Sequence, residues 1–310
     1  MILTVGDLLQ MMRGALTEKG IAAARHEAAC LIRARCSLSL ASIYTHPETP
    51  VEPAQAEQLH EDLERRLNHE PIAYILGETE FYGLPFMVGN GVLVPRPDTE
   101  RLVETALTQL TQAFPTDKSL RILDTCAGSG CVGLSLAFHL RQQNRPFALD
   151  LVEKDPVAAR YARKNAESLG LQPWTKVMLA DLWPSQVAEP GGMYDLITAN
   201  PPYIRCGEIG QLMPDVRCFE PRLALDGGED GLDFYRRILG TAPVWLKRPG
   251  LLLFEHGFDQ AASLERLCSG AGLRNLISVC DYGGHPRVTG GWLGLSDMPA
   301  GTGRTASQGA

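Results

Sequence analysis

Apolar residues recur at two different periods along this chain, and the change of period divides it. Near the start, Leu8, Leu9, Met12 and Leu16 return at the spacing of one helix face. Thr4-Val5-Gly6-Asp7 precedes them with capping-box spacing, and Gly20 is placed to stop the helix. A second helix is expected from His26 to Arg35. Pro53 suits the first position of a third, over Ala54 to Asn68, with Glu57, Glu61, Glu64 and Arg65 on its wet side. The pattern then turns strand-like from Phe81 to Val94. Asn90-Gly91 within it is a strong hairpin signal. Residues 1–78 therefore read as a helical domain and 79–93 as a linking β-hairpin, with Asp98 placed to cap the next helix.

From Leu120 the chain reads as strand, glycine turn and helix. Ile122 and Leu123 form a short apolar strand, Gly128 and Gly130 allow backbone to approach a ligand, and Val132, Leu134, Leu136 and Ala137 begin an apolar helix. No Lys-Ser or Lys-Thr follows the glycines, which argues against a P-loop. Three further apolar stretches follow: Phe147 to Val152 ends in Glu153, Val177 to Ala180 ends in Asp181-Leu182, and Tyr194 to Ala199 runs into Asn200. Strands of this kind predict an α/β fold with a doubly wound sheet, whose ligands bind at the carboxyl ends of the strands. Glu153 suits hydrogen bonding to ribose hydroxyls, although an ordinary solvated carboxylate is the alternative.

The candidate chemistry lies in Asn200-Pro201-Pro202-Tyr203. An amide or amino nitrogen is a poor nucleophile because its lone pair is delocalised, so an enzyme that alkylates it must hold both N–H groups with acceptors. Asn200 offers a side-chain carbonyl, and Pro201 offers a backbone carbonyl with no N–H beside it. Both positions precede a proline and are pushed toward extended geometry. Tyr203 offers an aromatic face for a flat substrate group. Asn-Pro is also a common turn opener, and the four residues alone leave that reading open.

Composition narrows the function classes. The chain has 310 residues, 45% hydrophobic and 21% charged, with net charge −7, as an ordinary globular protein long enough for two domains. It has no run of eighteen apolar residues and no basic start resembling a secretion signal, so a cytoplasmic, membrane-free location is expected. Its eight cysteines show no Cys-x-x-Cys spacing, so neither a metal site nor a disulfide framework is indicated, and buried thiols are expected. From Ser296 onward small polar residues dominate, and the tail 295–310 is expected to be disordered.

Taken together, these strand ends resemble those of class I S-adenosylmethionine-dependent methyltransferases, and within them the PrmC (HemK) family of protein-(glutamine-N5) methyltransferases. The matching segments are Glu70-Pro-Ile-Ala-Tyr-Ile-Leu-Gly77, Val94-Pro-Arg-Pro-Asp-Thr-Glu100, Asn200-Pro-Pro-Tyr203 and Glu220-Pro-Arg-Leu-Ala-Leu225. Asp230-Gly-Leu232, Glu255-His-Gly257 and Asp281-Tyr-Gly-Gly-His-Pro-Arg-Val288 match as well. The Pro-Arg-Pro-Asp-Thr-Glu segment separates this group from the related enzymes that methylate a ribosomal protein. The resemblance implies a Rossmann-like catalytic domain over 94–294 and a substrate-recognising N-terminal domain. Its implied reaction is methylation of the glutamine in the Gly-Gly-Gln motif of class I peptide chain release factors, by a protein expected to be monomeric. By carry-over, Asp124, Cys126, Ala127, Gly128, Ser129, Gly130 and Glu153 hold the cofactor's amino acid and ribose parts, and Asp181 and Leu182 flank its adenine. Asn200, Pro201, Pro202 and Tyr203 receive the glutamine amide, Asn200 also bordering the cofactor. The family usually has a glycine where this chain has Cys126, and a positive φ there would strain a cysteine.

Two other classes fit the tetrapeptide. One is a nucleic-acid N6-adenine methyltransferase, since an exocyclic amine poses the same problem; the other is a binding module that has kept only the fold. Charge disfavours the first, because residues 1–90 hold 7 Lys plus Arg against 12 Asp plus Glu, with no basic run. The intact Asn200 to Tyr203 disfavours the second. Glu100, Glu220 and His256 lie in matching segments as candidate bases or as capping and anchoring groups.

Overall fold

The computed structural model describes residues 3–185 and 191–295, so the tail beyond Leu295 lies outside the described residues. The chain forms two compact units, one running to Thr79 and including Met213–Phe219, the other comprising Glu80–Leu212 and the chain from Glu220 on.

The first unit contains α1 (Val5–Glu18), α2 (Ala24–Cys36), α3 (Leu40–Thr45), α4 (Pro53–Leu67) and α5 (Ile72–Leu76). Thr4 caps α1 in a complete capping box with Asp7, and Val5, Leu8, Met12 and Leu16 are its buried face. They pack with Ala28, Leu31 and Ile32 of α2 and Leu59 and Leu63 of α4. Asp62 and Arg66, both buried, are neutralised by Arg35 and Glu27 at 2.6 Å, as charges in a core must be. Helices α3 and α5 are too short to show a period in sequence.

A hairpin of β1 (Glu78–Phe81) and β2 (Leu84–Met87) follows. Its turn is Tyr82-Gly83, both with positive φ (53° and 70°), and not Asn90-Gly91 as expected. Such a pair matches the twist of two-residue hairpins. Asn90-Gly91 still turns, with Val92 N–H donating to the Gly89 carbonyl, but no strand follows. Pro95 and Pro97 remove the donors that a returning strand would need. The helix α6 (Glu100–Ala113) begins after a 3-10 turn at Pro97–Thr99. Asp98 does not cap it; its carboxylate pairs instead with Arg287 at 3.2 Å.

Alternating elements then build the sheet: β3 (Leu120–Thr125), α7 (Cys131–Gln142), β4 (Phe147–Glu153), α8 (Pro156–Ser168), β5 (Thr175–Leu179) and β6 (Tyr194–Ala199). After α9 (Pro214–Phe219), which groups with the first unit, come α10 (Asp233–Trp245), β7 (Leu246–Glu255), α11 (Ala261–Gly270), β8 (Arg274–Cys280) and β9 (Pro286–Leu293). The strand order is β5-β4-β3-β6-β7-β9-β8. The first five strands are parallel, and β9 and β8 close the far side antiparallel. Strand side chains alternate between two cores. Ile122, Leu149, Leu196 and Leu251 face α6 and α7, while Leu123, Val152, Ile197 and Leu252 face α10 and α11. The sheet is thus covered on both faces. The order reverses at β3, where β4 and β6 flank it and their carboxyl ends part, and this switch point is where a ligand crevice forms. Among the described residues, no helix is long and apolar enough to cross a membrane.

Candidate active site

A cleft of about 970 Å³, open solvent at its mouth included, lies at those carboxyl ends. Its wall brings together the ends of β3, β4, β5 and β6. Asp124, Cys126, Ala127, Gly128, Ser129, Glu153, Asp181, Leu182, Asn200 and Pro202 all line it. Gly130 stands just behind as the cap of α7, with φ 81°.

The loop after β3 is shaped by backbone demands. Cys126 has φ 57° and Gly128 φ 56°, and Leu182 on the neighbouring loop has φ 65°. A non-glycine residue in the left-handed region is strained, and such strain gathers at functional sites. The strain anticipated at Cys126 is therefore present. Leu182 is held by its carbonyl, which accepts the Thr125 hydroxyl at 2.6 Å.

Each carboxylate on the wall has a distinct environment. Asp124 is buried, one oxygen accepting Gly133 N–H at 3.0 Å and the other the Thr198 hydroxyl at 2.8 Å. Burial pushes its pKa up to about 7, the hydrogen bonds offset part of that, and the charge of Glu153 adds to it. Both oxygens thus brace the loop against α7 and β6. Glu153 accepts Gly128 N–H at 2.7 Å and Asp155 N–H at 2.8 Å. Burial raises it too, against those backbone bonds. Each oxygen keeps a lone pair for a ligand hydroxyl. Burial works to raise Asp181, but hydrogen bonds from Lys154 and Arg237 prevail and hold it below the ordinary carboxylate range.

Asn200 and Pro202 line the cavity, and Pro201 and Tyr203 do not. Asn200 donates its Nδ2–H to Thr99 Oγ1 at 3.4 Å. That leaves Asn200 Oδ1 and the Pro201 carbonyl accepting no hydrogen bond among the described residues. Tyr203 differs from expectation: its ring packs on the core that holds Phe254 and Tyr235, and its hydroxyl lies 3.5 Å from Glu255. The Tyr203 carbonyl is tied to Gln260 at 3.0 Å. An apolar ring with a buried partner for its hydroxyl is more stable inside than on the cavity wall.

The three candidate bases each hold a partner within the protein. Glu100 accepts the Tyr82 N–H at 2.9 Å. His256 is fully buried with Gly257 and Thr289 on its two ring nitrogens, and burial lowers its pKa. Glu220 accepts Arg96 at 2.6 Å. Sequence reading assigned no role to Thr99, Arg96, Pro221 or Leu223, which line the cavity, although they lie in the matching segments 94–100 and 220–225. Phe234, also on the wall, carried no signal. The eight cysteines are free thiols; only Cys268 is fully buried, and Cys206, Cys218 and Cys280 are exposed, contrary to the expected burial.

Residues 7–77 match the PrmC N-terminal domain and residues 100–213 the methyltransferase small domain. The release factor glutamine methyltransferase of Geobacter sulfurreducens is 38% identical, over 94% of this chain and 98% of that protein. The chain belongs to the release factor glutamine methyltransferase family. The Vibrio cholerae member is 37% identical over 93% of this chain and 96% of its own length. The fold is likewise shared with the hMettl16 catalytic domain solved with MAT2A 3'UTR hairpin 6, at TM-score 0.56 and 16% identity, covering 80% of this chain and 84% of that one. The protein is thus a methyltransferase with the S-adenosylmethionine-dependent fold.

The cavity fits that cofactor on its own evidence. Nothing lies within 4 Å of where a Cβ on Gly128 would stand, so the loop backbone is open to a ligand. Four carboxylates on the wall, those of Asp124, Glu153, Asp155 and Asp181, outnumber its two cations, Arg96 and Lys154. A ligand carrying a sulfonium and an ammonium group suits such a wall.

Proposed function

We propose that this protein methylates the side-chain amide nitrogen of the glutamine in the Gly-Gly-Gln motif of class I peptide chain release factors. The observation that carries this reading is the pair of unengaged acceptors, Asn200 Oδ1 and the Pro201 carbonyl, in a segment where two prolines remove the competing donors. The names of the relatives supply the protein substrate.

When bound, S-adenosylmethionine supplies an electrophilic methyl. The chain's own part is orientation. Asn200 Oδ1 on the cavity wall and the carbonyl of Pro201, which joins the wall residues Asn200 and Pro202 without lining the cavity itself, accept the two amide protons, which favours a pyramidal nitrogen as positive charge develops. Glu153 accepts ribose hydroxyls, Gly128 lets the loop backbone close on the amino acid part, and Asp181 and Leu182 border the adenine. Asp124 and Gly130 hold that loop in place from beneath. Tyr203 fixes the tetrapeptide from behind. The proton released from nitrogen passes to solvent, and no side-chain base is required. Residues 1–78 take the recognition of the protein substrate. Net charge −7 and the acidic first unit favour a protein target over a nucleic-acid backbone.

Asn200→Ala is expected to abolish methyl transfer while cofactor affinity by calorimetry stays within about tenfold. Retained transfer would contradict the assignment.

A further inference from the structure

Two buried groups behind Asn200 have no part in the reading above. Thr99 ends the 3-10 turn before α6, is 2% exposed and lines the cavity. Its Oγ1 receives Asn200 Nδ2 at 3.4 Å. Glu255 ends β7, is 1% exposed and lies 3.5 Å from the Tyr203 hydroxyl through Oε1. Its Oε2 is buried and accepts no hydrogen bond among the described residues. Burial pushes the Glu255 pKa up to about 7, while the adjacent Thr99 hydroxyl and the Arg287 guanidinium favour its charged form.

A threonine hydroxyl has one proton and two lone pairs, and an ionised carboxylate only accepts. The Thr99 hydroxyl favours the charged form of Glu255, which has an oxygen to spare, so the carboxylate is the acceptor that draws the Thr99 proton. Thr99 Oγ1 then serves Asn200 only as an acceptor, and only the Nδ2–H edge of the amide satisfies it. The amide is thereby turned so that Oδ1 faces the cavity. Flipped by half a turn, the same side chain would present two donors to a substrate amide that needs acceptors.

We propose that Thr99, polarised by Glu255, is the positioning residue that fixes which edge of the Asn200 amide faces the substrate. This rests on the reading that Asn200 Oδ1 receives the glutamine amide. Arg287 and Asp98 are the charged groups facing Glu255, with the Tyr203 and Tyr235 hydroxyls and the Cys131 thiol also near it. Protonated Glu255 becomes a donor toward Thr99 Oγ1, which frees the threonine proton to meet Asn200 and removes the bias. Acidification through the Glu255 pKa therefore weakens the lock.

The test compares Thr99→Val, Thr99→Ser and Glu255→Gln in the full-length protein, with purified release factor as substrate. Thr99→Val keeps the shape and removes the hydroxyl. It is expected to lower kcat roughly tenfold to a hundredfold, with KM for the release factor and calorimetric cofactor affinity within about threefold. Thr99→Ser should recover kcat to within about threefold of wild type by restoring the acceptor. Wild-type kcat should fall as pH drops through about 7, a range it shares with Asp124 of the loop, and Glu255→Gln should lose the Glu255 part of that step. Wild-type turnover in Thr99→Val, equal losses in the valine and serine variants, an equal loss of cofactor affinity in Thr99→Val, or an unchanged pH step in Glu255→Gln would each overturn the proposal. Asn200→Ala run beside them separates the two layers: if it still turns over, the reading of Asn200 fails, whatever Thr99 does.

Discussion

Cys126 occupies a backbone position that asks for glycine, and the protein tolerates it at φ 57°. The left-handed region costs a side-chain-bearing residue roughly 1–3 kcal/mol, which surrounding structure must hold in place. Here the carbonyl of Val152 receives Ala127 N–H at 3.1 Å, and Ala127 in turn receives Gly130 N–H at 2.7 Å. Gly128 is different, because its added Cβ would meet nothing of the protein and would stand at the cavity wall. Gly128→Ala, at φ 56°, should therefore cost roughly 1–2 kcal/mol of stability through backbone strain alone, read by thermal or denaturant unfolding. Its cofactor affinity should fall more than about tenfold, since the methyl takes ligand space. A loss of stability with unchanged affinity would place the cofactor away from this loop. At this scale, the expected residues that reach the cavity wall include those where chemistry and backbone restriction coincide, Asn200, Glu153 and Gly128. Sequence reading put the Tyr203 ring against a flat substrate group, because a tyrosine three residues after Asn200 reads the same whether its ring faces a ligand or the core that holds Phe254. It was silent on Thr99 for a related reason: a hydroxyl's partner is set by tertiary contact.

Helix α7 approaches β3 and β4 closely at Gly133, where a Cβ would come within 2.5 Å of Leu151 Cδ2 and 3.0 Å of Asp124 Cβ. The same glycine donates its N–H to Asp124, so the seat of the helix and the seat of the loop are one contact. Gly133→Val should destabilise the protein by about 2 kcal/mol through overpacking, and weaken cofactor binding in parallel because Asp124 shifts. Intact stability in a denaturant titration would show that the helix has room to move. The four parallel strands ending in β6 were legible because each couples an apolar run to a polar residue at its carboxyl end. The edge formed by β7, β9 and β8 was not, since a run such as Gly250–Phe254, buried on both faces, lacks alternation. The hairpin was legible as a hairpin but its turn was misplaced. Tyr82-Gly83 and Asn90-Gly91 both offer positive φ, and only strand pairing chooses between them.

Across the molecule, the chain forms two units, one helical and one built on the doubly wound sheet. The excursion of Met213–Phe219 into the first unit was not legible, since six helical residues carry no periodic signal. The acidic balance bears on partner choice, because binding a nucleic-acid backbone requires clustered Lys and Arg. The most direct measurement is incubation with labelled S-adenosylmethionine and a purified class I release factor, followed by mass spectrometry of the Gly-Gly-Gln peptide. The account predicts one added methyl group on the glutamine side chain with wild-type protein and none with Asn200→Ala. An unmodified glutamine alongside label transferred to added RNA or DNA would contradict it.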